Sequence, residues 1–358
     1  MKSFFLSIFI SLFISKIFDF LQNKTGNFSF IGNPIFGKHY FHPPSNISGI
    51  SLYLSMLIVT LFRDYYNNGG NYSFSITIFW LTLPVFLVDL LKDMKWKIST
   101  NLQFMGIIFS SLLFIYYSNI SIRKIDIQGI DILFHLPLIG LLLTCLFISG
   151  LTRTYILLDK LNSLSAINAI MTILSIAYIS HMCKDPQLFM SSIIFLGLLI
   201  GFFLANYSKG IMAFGNAGSY LVGFFIAIFS ICLVERNIAI SPWLAVVLNL
   251  IPICEVLVYI WRRRQSQELE YYPSDHTQLY GPIFQNLIRR HGSNSSPNEL
   301  LNPPLKSPKI FIFFLTSIPA IFSVFFWDNK FILITLGLIF CFGCLFLSRK
   351  QVLNFDSR

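Results

Sequence analysis

Apolar runs of about 18 to 20 residues recur along the whole chain, and each is long enough to cross the hydrocarbon core of a bilayer as an α-helix. Charged residues make up only 12% of the 358 residues, whereas soluble domains average about one quarter. No long stretch between the runs has an apolar pattern of its own. The sequence therefore predicts an all-α polytopic membrane protein with a single integral membrane domain, residues 1–358.

Eleven runs predict about eleven transmembrane helices. They are Met1–Leu21, Ile47–Leu61, Phe74–Leu91, Leu102–Tyr117, Ile130–Ile148, Leu164–Ser180, Leu188–Ala205, Ile211–Val234, Pro242–Trp261, Ile310–Phe326 and Phe331–Leu347. The longest connection, residues 262–308, is polar and rich in Pro, Asn and Ser, which indicates a large loop. Within it, the spaced apolar residues of Tyr280–Arg290 are typical of a short amphipathic helix at the membrane interface.

The distribution of Lys and Arg predicts the topology. Odd-numbered connections and the C-terminal tail carry roughly three times as many basic residues as the even-numbered ones, and basic loops stay on the cytoplasmic side. We therefore expect a multi-pass protein of the inner (plasma) membrane, with the N-terminus outside and the C-terminus in the cytoplasm. The formal net charge of +10 favours anionic lipid headgroups and phosphorylated ligands. We expect no nucleic-acid partner.

One stretch, Gly201–Gly223, reads GFFLANYSKGIMAFGNAGSYLVG. Two apolar runs flank a polar hinge that begins at Asn206, and a glycine-serine turn, Gly215–Ser219, follows. Small residues let the backbone approach a ligand, and a helix beginning at about Ser219 would point its positive dipole end at the turn. The turn therefore suits a phosphate, although a plain connection between two spans explains it equally well.

The acidic residues fall on one predicted side of the membrane. Asp93, Asp159, Glu255 and Asp275 lie in, or next to, cytoplasmic connections. A transport pathway would require ionisable groups at mid-bilayer depth, and the spans contain almost none. The pattern favours a catalytic site at the cytoplasmic face over a transporter or channel. Asp275, which His276 follows, is also explained by a solvated turn.

The other polar candidates have structural alternatives as well. Asp93 stands among lysines and could belong to a solvated ion-pair cluster. Asp159 and Asn216 each precede apolar runs and could be helix N-caps. Arg262 and Arg263 could anchor their helix at the headgroup level.

The order of five segments resembles that of the polyprenyl-phosphate N-acetylhexosamine-1-phosphate transferases, which belong to glycosyltransferase family 4. Residues 201–224 are similar to the family's G-F-L-x-x-N-x-P-x-x-x-I-F-x-G-D-x-G-S segment, and they carry the most specific match. The weaker matches are LLKDMKWKIS with the acidic-pair segment, YILLDKLNSLSA with N-x-I-D-G-x-N-G-L-A, NLIPICEVLVYIWRRR with P-x-x-D/E followed by R-R, and YPSDHTQLYGPIF with the histidine loop.

The resemblance implies a reaction and its partners. The phosphate of a polyprenyl (undecaprenyl) phosphate attacks the β-phosphate of a UDP-sugar, so that sugar-1-phosphate moves to the lipid and UMP leaves. Such a step initiates a cell-envelope glycan, for example in cell wall or lipopolysaccharide biogenesis. Magnesium held by carboxylates would offset the diphosphate charge. The sequence leaves open whether the chain forms a homodimer.

The resemblance also implies a site. The acids at the catalytic and Mg²⁺ positions are Asp93 and Asp159, with Asn216 as a third metal-site residue. The remaining residues expected to bind substrate are Asn162, Asn206, Gly215, Gly218, Ser219, Arg262, Arg263 and Asp275.

The chain departs from the family pattern within these motifs. Lys92 replaces one acid of the pair, Asn216 replaces an Asp, and Gln278 and Tyr280 stand where the family has histidines. Near the N-terminus, SNISG, which ends at Gly49, replaces P-R-x-G-G. Two readings follow: lysines bind phosphate in place of the metal, or the chain is a catalytically inactive relative that binds a lipid or a partner.

Overall fold

A computed structural model describes residues 2–25, 48–66, 74–94, 96–159, 164–207, 214–265 and 317–356. These ranges are almost entirely helical and contain no strand, which confirms the all-α prediction. Within them, seven helices are long and apolar enough to cross a membrane, and three further apolar helices are shorter. The predicted number of eleven spans is therefore not confirmed.

Eleven α-helices can be followed through the described ranges, and a short 3₁₀ helix precedes the fifth. Residues 317–325 are also helical. The bounds are α1 Lys2–Thr25, α2 Ser48–Tyr66, α3 Phe74–Asp93, α4 Thr100–Ser118, the 3₁₀ helix Asp131–His135, α5 Pro137–Asp159, α6 Leu164–Met182, α7 Pro186–Tyr207, α8 Gly215–Arg236, α9 Trp243–Leu248, α10 Leu250–Gln265 and α11 Lys330–Asp356.

Helix α8 is the centre of the bundle. It is buried along its whole spanning length and contacts α2, α3, α5, α6, α7 and α9. A helix that is apolar on every side is suited to the centre of a bundle, because each of its faces can pack against a neighbouring helix. Gly223 permits the closest approach to α5, since a Cβ atom there would lie 2.9 Å from the Cα of Thr152. This contact holds α8 closely against α5.

The fifth, ninth and eleventh predicted spans differ clearly from the structure. The eleventh was expected to end at Leu347, but α11 continues to Asp356. The fifth was expected to end at Ile148, but α5 continues to Asp159, so Arg153 lies inside a spanning helix and not in a connection. The ninth is broken into α9 and α10 at Asn249. Pro252 explains the break, because proline lacks an N–H and clashes with the carbonyl four residues earlier.

The carbonyl freed by this break finds another partner. It belongs to Leu248 and accepts a hydrogen bond from the Thr172 hydroxyl of α6 at 3.3 Å. Asn249 itself donates to the Ser230 hydroxyl of α8 at 3.0 Å. Both bonds satisfy polar groups that would be costly to bury alone.

Helices α3 and α5 end, and α8 begins, at the same end of the bundle, which we call the site face. The far end is held by different contacts. There, Arg236 forms an ion pair with Asp185 at 3.4 Å, and the backbone N–H of Arg123 donates to Glu235 at 3.2 Å. The two ends therefore carry separate polar groups.

Candidate active site at the start of helix α8

Asp159, the last residue of α5, ties three helices together at the site face. Its buried carboxylate accepts hydrogen bonds from the backbone N–H of Phe214 at 2.9 Å, from that of Gly215 at 3.0 Å and from the Ser165 hydroxyl at 2.7 Å. Gly215 has a φ of 73°, a conformation that glycine adopts without strain. Asp159 therefore caps α8, a helix distant in sequence, and not the helix that follows it.

Asp93, the last residue of α3, contacts the same turn from the other side. It is buried and accepts hydrogen bonds from the Asn216 side-chain amide at 2.8 Å and from the backbone N–H of Ala217 at 3.0 Å. This burial contradicts the solvated ion-pair interpretation. Asn216 is not an N-cap, because it lies inside α8 and its amide donates to an acid of another helix.

The two carboxylates are near neighbours. Their hydrogen-bond donors, the N–H groups of Gly215 and Ala217, are two residues apart, which separates the nitrogens by about 7 Å at most. Adding the two hydrogen bonds of 3.0 Å puts the Asp93 and Asp159 oxygens within about 13 Å of each other. Both acids lie at the positive end of the α8 dipole, which favours their ionised forms.

Three backbone N–H groups of the turn are not free to bind a phosphate. The backbone N–H groups of Phe214, Gly215 and Ala217 already donate to the two acids. An anion cannot use these groups while the carboxylates accept them. The structure therefore changes the expected role of the turn, which positions two acids.

Two of the predicted turn residues support this arrangement. The Ser219 hydroxyl donates to the Gly215 carbonyl at 2.7 Å and also interacts with Asp159. Gly218 packs against Gly49 of α2, where an added Cβ on Gly49 would lie 2.6 Å from the Gly218 nitrogen. Glycine at both positions lets α2 approach the first turn of α8.

A second polar group, which the sequence reasoning did not single out, lies beside Asp93. Asp89 is buried one helical turn earlier on α3, and it accepts a hydrogen bond from the side-chain amide of Gln103 on α4. The Gln103 carbonyl accepts a hydrogen bond from the ammonium of Lys92 at 2.9 Å. An acid within the apolar run, four residues before Asp93, was the available signal, because such spacing puts two side chains on one helix face.

The other predicted residues are placed as follows. The Asn206 amide donates to the Phe202 carbonyl of its own helix at 2.9 Å, so this bond does not join it to the acids. Of Arg262 and Arg263 the structure describes only the backbone, in the last turn of α10. Asn162 and Asp275 lie outside the described residues.

The last turn of α10 lies toward the site face. Val258 packs in one cluster with Leu158, the residue before Asp159. Arg262 follows Val258 by four residues, or about 6 Å along the helix axis. The backbone of α10 therefore carries both arginines toward the end of α5.

The two acids at the start of α8 are side chains of the type that binds magnesium. Mg²⁺ prefers oxygen ligands and is commonly held by one or two carboxylates, with water and substrate phosphates completing its coordination. A carboxylate offers about four lone-pair positions, of which Asp93 uses two and Asp159 three. No group of three or more His, Cys, Asp or Glu within the described ranges could hold a metal ion, so phosphate oxygens would have to supply further ligands.

The fold and this site together define a multi-pass membrane protein with paired acids at one end of its helix bundle. Residues 75–234, which span α3 to α8 and include both acids, match the family model of glycosyl transferase family 4. This match covers 160 of the 358 residues, and it supports the resemblance to the polyprenyl-phosphate hexosamine-1-phosphate transferases, which are phospho-sugar transferases in kind. A comparison with curated proteins gave no significant match.

Proposed function

We propose that the protein transfers a sugar-1-phosphate from a UDP-N-acetylhexosamine to a polyprenyl (undecaprenyl) phosphate, with release of UMP. The observation that carries this proposal is the meeting of Asp93 and Asp159 at the first turn of α8, inside the segment that matches the family. The reaction would take place at the cytoplasmic face of the plasma membrane and would start a cell-envelope glycan.

The acids would organise the diphosphate end of the donor. Asp93 and Asp159 are fixed by backbone N–H groups, so that their free lone pairs keep one orientation, and preorganised charge lowers the cost of reaching a transition state. These acids, with the Asn216 side chain beside them, would hold Mg²⁺. When bound, Mg²⁺ would neutralise charge on the diphosphate and on the leaving UMP. Arg262, Arg263 and Asp275 would serve the sugar and phosphate end of the site.

The experiment is a transfer assay in membranes that contain the expressed protein, with radiolabelled UDP-GlcNAc and undecaprenyl phosphate. Asp159→Ala should lower transfer by about 10²- to 10³-fold, as is typical for the loss of one preorganised electrostatic group. Ser165→Ala, which removes one of the three bonds to Asp159, should cost less. Asp185→Asn, at the far end of the bundle, is the matched control and should leave transfer unchanged. Transfer that survives Asp159→Ala would refute the assigned role.

A catalytically inactive relative, kept as a lipid- or partner-binding membrane protein, is a second candidate. It is favoured by Asn216, whose amide satisfies Asp93 without a metal. If wild-type membranes transfer no label and Asn216→Asp restores neither turnover nor Mg²⁺ dependence, this second function is the better account. A homodimer remains compatible with either function, and size measurement in detergent would test it.

A further inference from the structure

Asp89 is a buried carboxylate whose charge needs compensation. Only 1% of the residue is exposed. One of its oxygens accepts the hydrogen bond from Gln103, and the other, Oδ2, has no hydrogen-bond partner in the part of the chain that the structure describes. An isolated buried carboxylate is expensive, so cations nearby are expected.

Two cations flank this carboxylate. Lys92 is linked to Asp89 through Gln103, and the guanidinium of Arg153 on α5 lies close enough to interact electrostatically with Asp89 and with Tyr220 of α8. Lys92 uses one of its three N–H donors in the hydrogen bond to Gln103. Arg153 donates no hydrogen bond to any residue within the described ranges. Both cations therefore keep donors for a ligand.

Arg153 is exposed on the surface of the helix bundle. It continues an exposed stripe along α5 formed by Leu142, Leu146 and Gly150, at spacings of four and three residues that keep one helix face. It stands six residues before Asp159, about 9 Å from the end of the helix. A charged residue inside a spanning helix is costly, and this cost points to a function.

We propose that Lys92 and Arg153 form a phosphate-binding pair, held around Asp89, that takes the phosphate headgroup of the lipid acceptor. The lipid is favoured over the nucleotide because Arg153 continues an exposed stripe on α5, a helix long and apolar enough to cross a membrane, so that a polyprenyl chain can lie alongside α5. Gln103 is a positioning residue that acts through Lys92. The assignment rests on the proposed function for the identity of the lipid, but phosphate binding can be measured without turnover.

The test uses the full-length protein in phosphatidylcholine nanodiscs. Binding of undecaprenyl phosphate, undecaprenol and UDP-GlcNAc is measured by native mass spectrometry. Lys92→Gln and Arg153→Gln should each weaken undecaprenyl phosphate binding by about 10- to 100-fold, the effect of one or two charge-assisted hydrogen bonds. Undecaprenol binding should not change. Lys97→Gln, an exposed lysine just beyond the end of the same helix, is the matched control and should stay within about twofold, because exposed charges contribute little.

A double-mutant cycle tests the role of Gln103. If Gln103 acts through Lys92, adding Gln103→Leu to Lys92→Gln should weaken phosphate binding no further, whereas an independent structural effect would add. A melting temperature for each variant separates loss of the fold from loss of binding, and Arg153→Lys should restore part of the affinity.

The measured affinities distinguish the proposed phosphate-binding pair from the alternatives. Near-wild-type binding by Lys92→Gln or Arg153→Gln overturns the pair, as does an equal loss of undecaprenol. A loss confined to UDP-GlcNAc overturns the lipid assignment. Phosphate-lipid binding that depends on both cations in a protein that transfers no sugar would support the pair while refuting the transferase function.

Discussion

Asn216→Asp is the substitution that best probes the acid pair, because it changes one atom at the centre of the site. In the wild type, the Asn216 amide donates to Asp93 at 2.8 Å. The substitution restores the Asp of the family pattern and replaces this donor with a carboxylate oxygen. Without a cation, two carboxylates then face each other across the first turn of α8.

The loss of folding stability caused by the substitution can be calculated from this geometry. Asn216→Ala removes the hydrogen bond to a charged group, which contributes about 1.5–3 kcal/mol. Asn216→Asp removes the same bond and adds repulsion between two charges centred about 4 Å apart, which is about 4 kcal/mol at an effective dielectric constant of 20. The Asp variant should therefore be about 4 kcal/mol less stable than the Ala variant in EDTA at neutral pH. Lowering the pH should reduce this difference, since a shared proton removes the repulsion.

Magnesium should reduce the difference between the two variants. A cation that binds between the two carboxylates at 100 times its dissociation constant stabilises the folded state by about 2.7 kcal/mol, which offsets most of the loss caused by the repulsion. The assay is thermal unfolding of the purified protein in nanodiscs, with and without Mg²⁺, for the wild type and both variants. We expect a Mg²⁺-dependent rise in melting temperature that is largest for Asn216→Asp and smallest for Asn216→Ala.

Two results would contradict this reasoning. Equal stability of the Asp and Ala variants in EDTA would mean that residue 216 and Asp93 are not in contact. A melting temperature of Asn216→Asp that does not respond to Mg²⁺ would mean that the start of α8 does not hold the ion, even with the family's acid in place.

Two further predictions concern the packing around the site. Gly49→Ala should cost about 1–3 kcal/mol of stability, because its Cβ would lie 2.6 Å from the Gly218 nitrogen. The control variant Gly150→Ala, with no neighbouring atom within 4 Å, should be neutral or slightly stabilising. Equal thermal stability of the two variants would contradict the α2–α8 contact. The thiols of Cys254 on α10 and Cys341 on α11 are 3.4 Å apart, so copper phenanthroline and oxygen should cross-link them; a peptide map that finds both thiols free would refute this helix pairing.

Hydropathy was sufficient to predict most of the helices, but it misplaced the end of a helix where polar residues continue the span. The third predicted span differs from α3 only at its end, Asp93, which is two residues later than expected. The fifth was placed too early because the last part of α5 contains Arg153, two threonines and Asp159. These residues lower the hydropathy of a window although the helix continues. A sequence window measures composition, while the helix end depends on what the side chains contact.

The acids themselves could be selected from sequence, but their partners could not. Asp93 and Asp159 stood out through position and family resemblance. Their donors, Ala217 and Gly215, lie 124 and 56 residues away along the chain, and no local pattern encodes such pairings. Asp89 was not predicted for the opposite reason, since its sequence signal is present but lies within an otherwise apolar run.

Two of the substitutions in the family motifs, Lys92 and Asn216, change the charge of the site in the same direction. Lys92 introduces a positive charge where the family has an acid, and Gln103 links this charge to the buried carboxylate of Asp89. Asn216 stands where the family pattern has an Asp, so it removes a negative charge, and its amide donates a hydrogen bond to Asp93. Relative to the family pattern, both substitutions make the site more positive, which weakens the need for a metal and strengthens attraction for phosphate. Gln103 is hydrogen-bonded to both Lys92 and the buried Asp89, and this ordered arrangement favours a binding role for the lysine over simple loss of the family's acid.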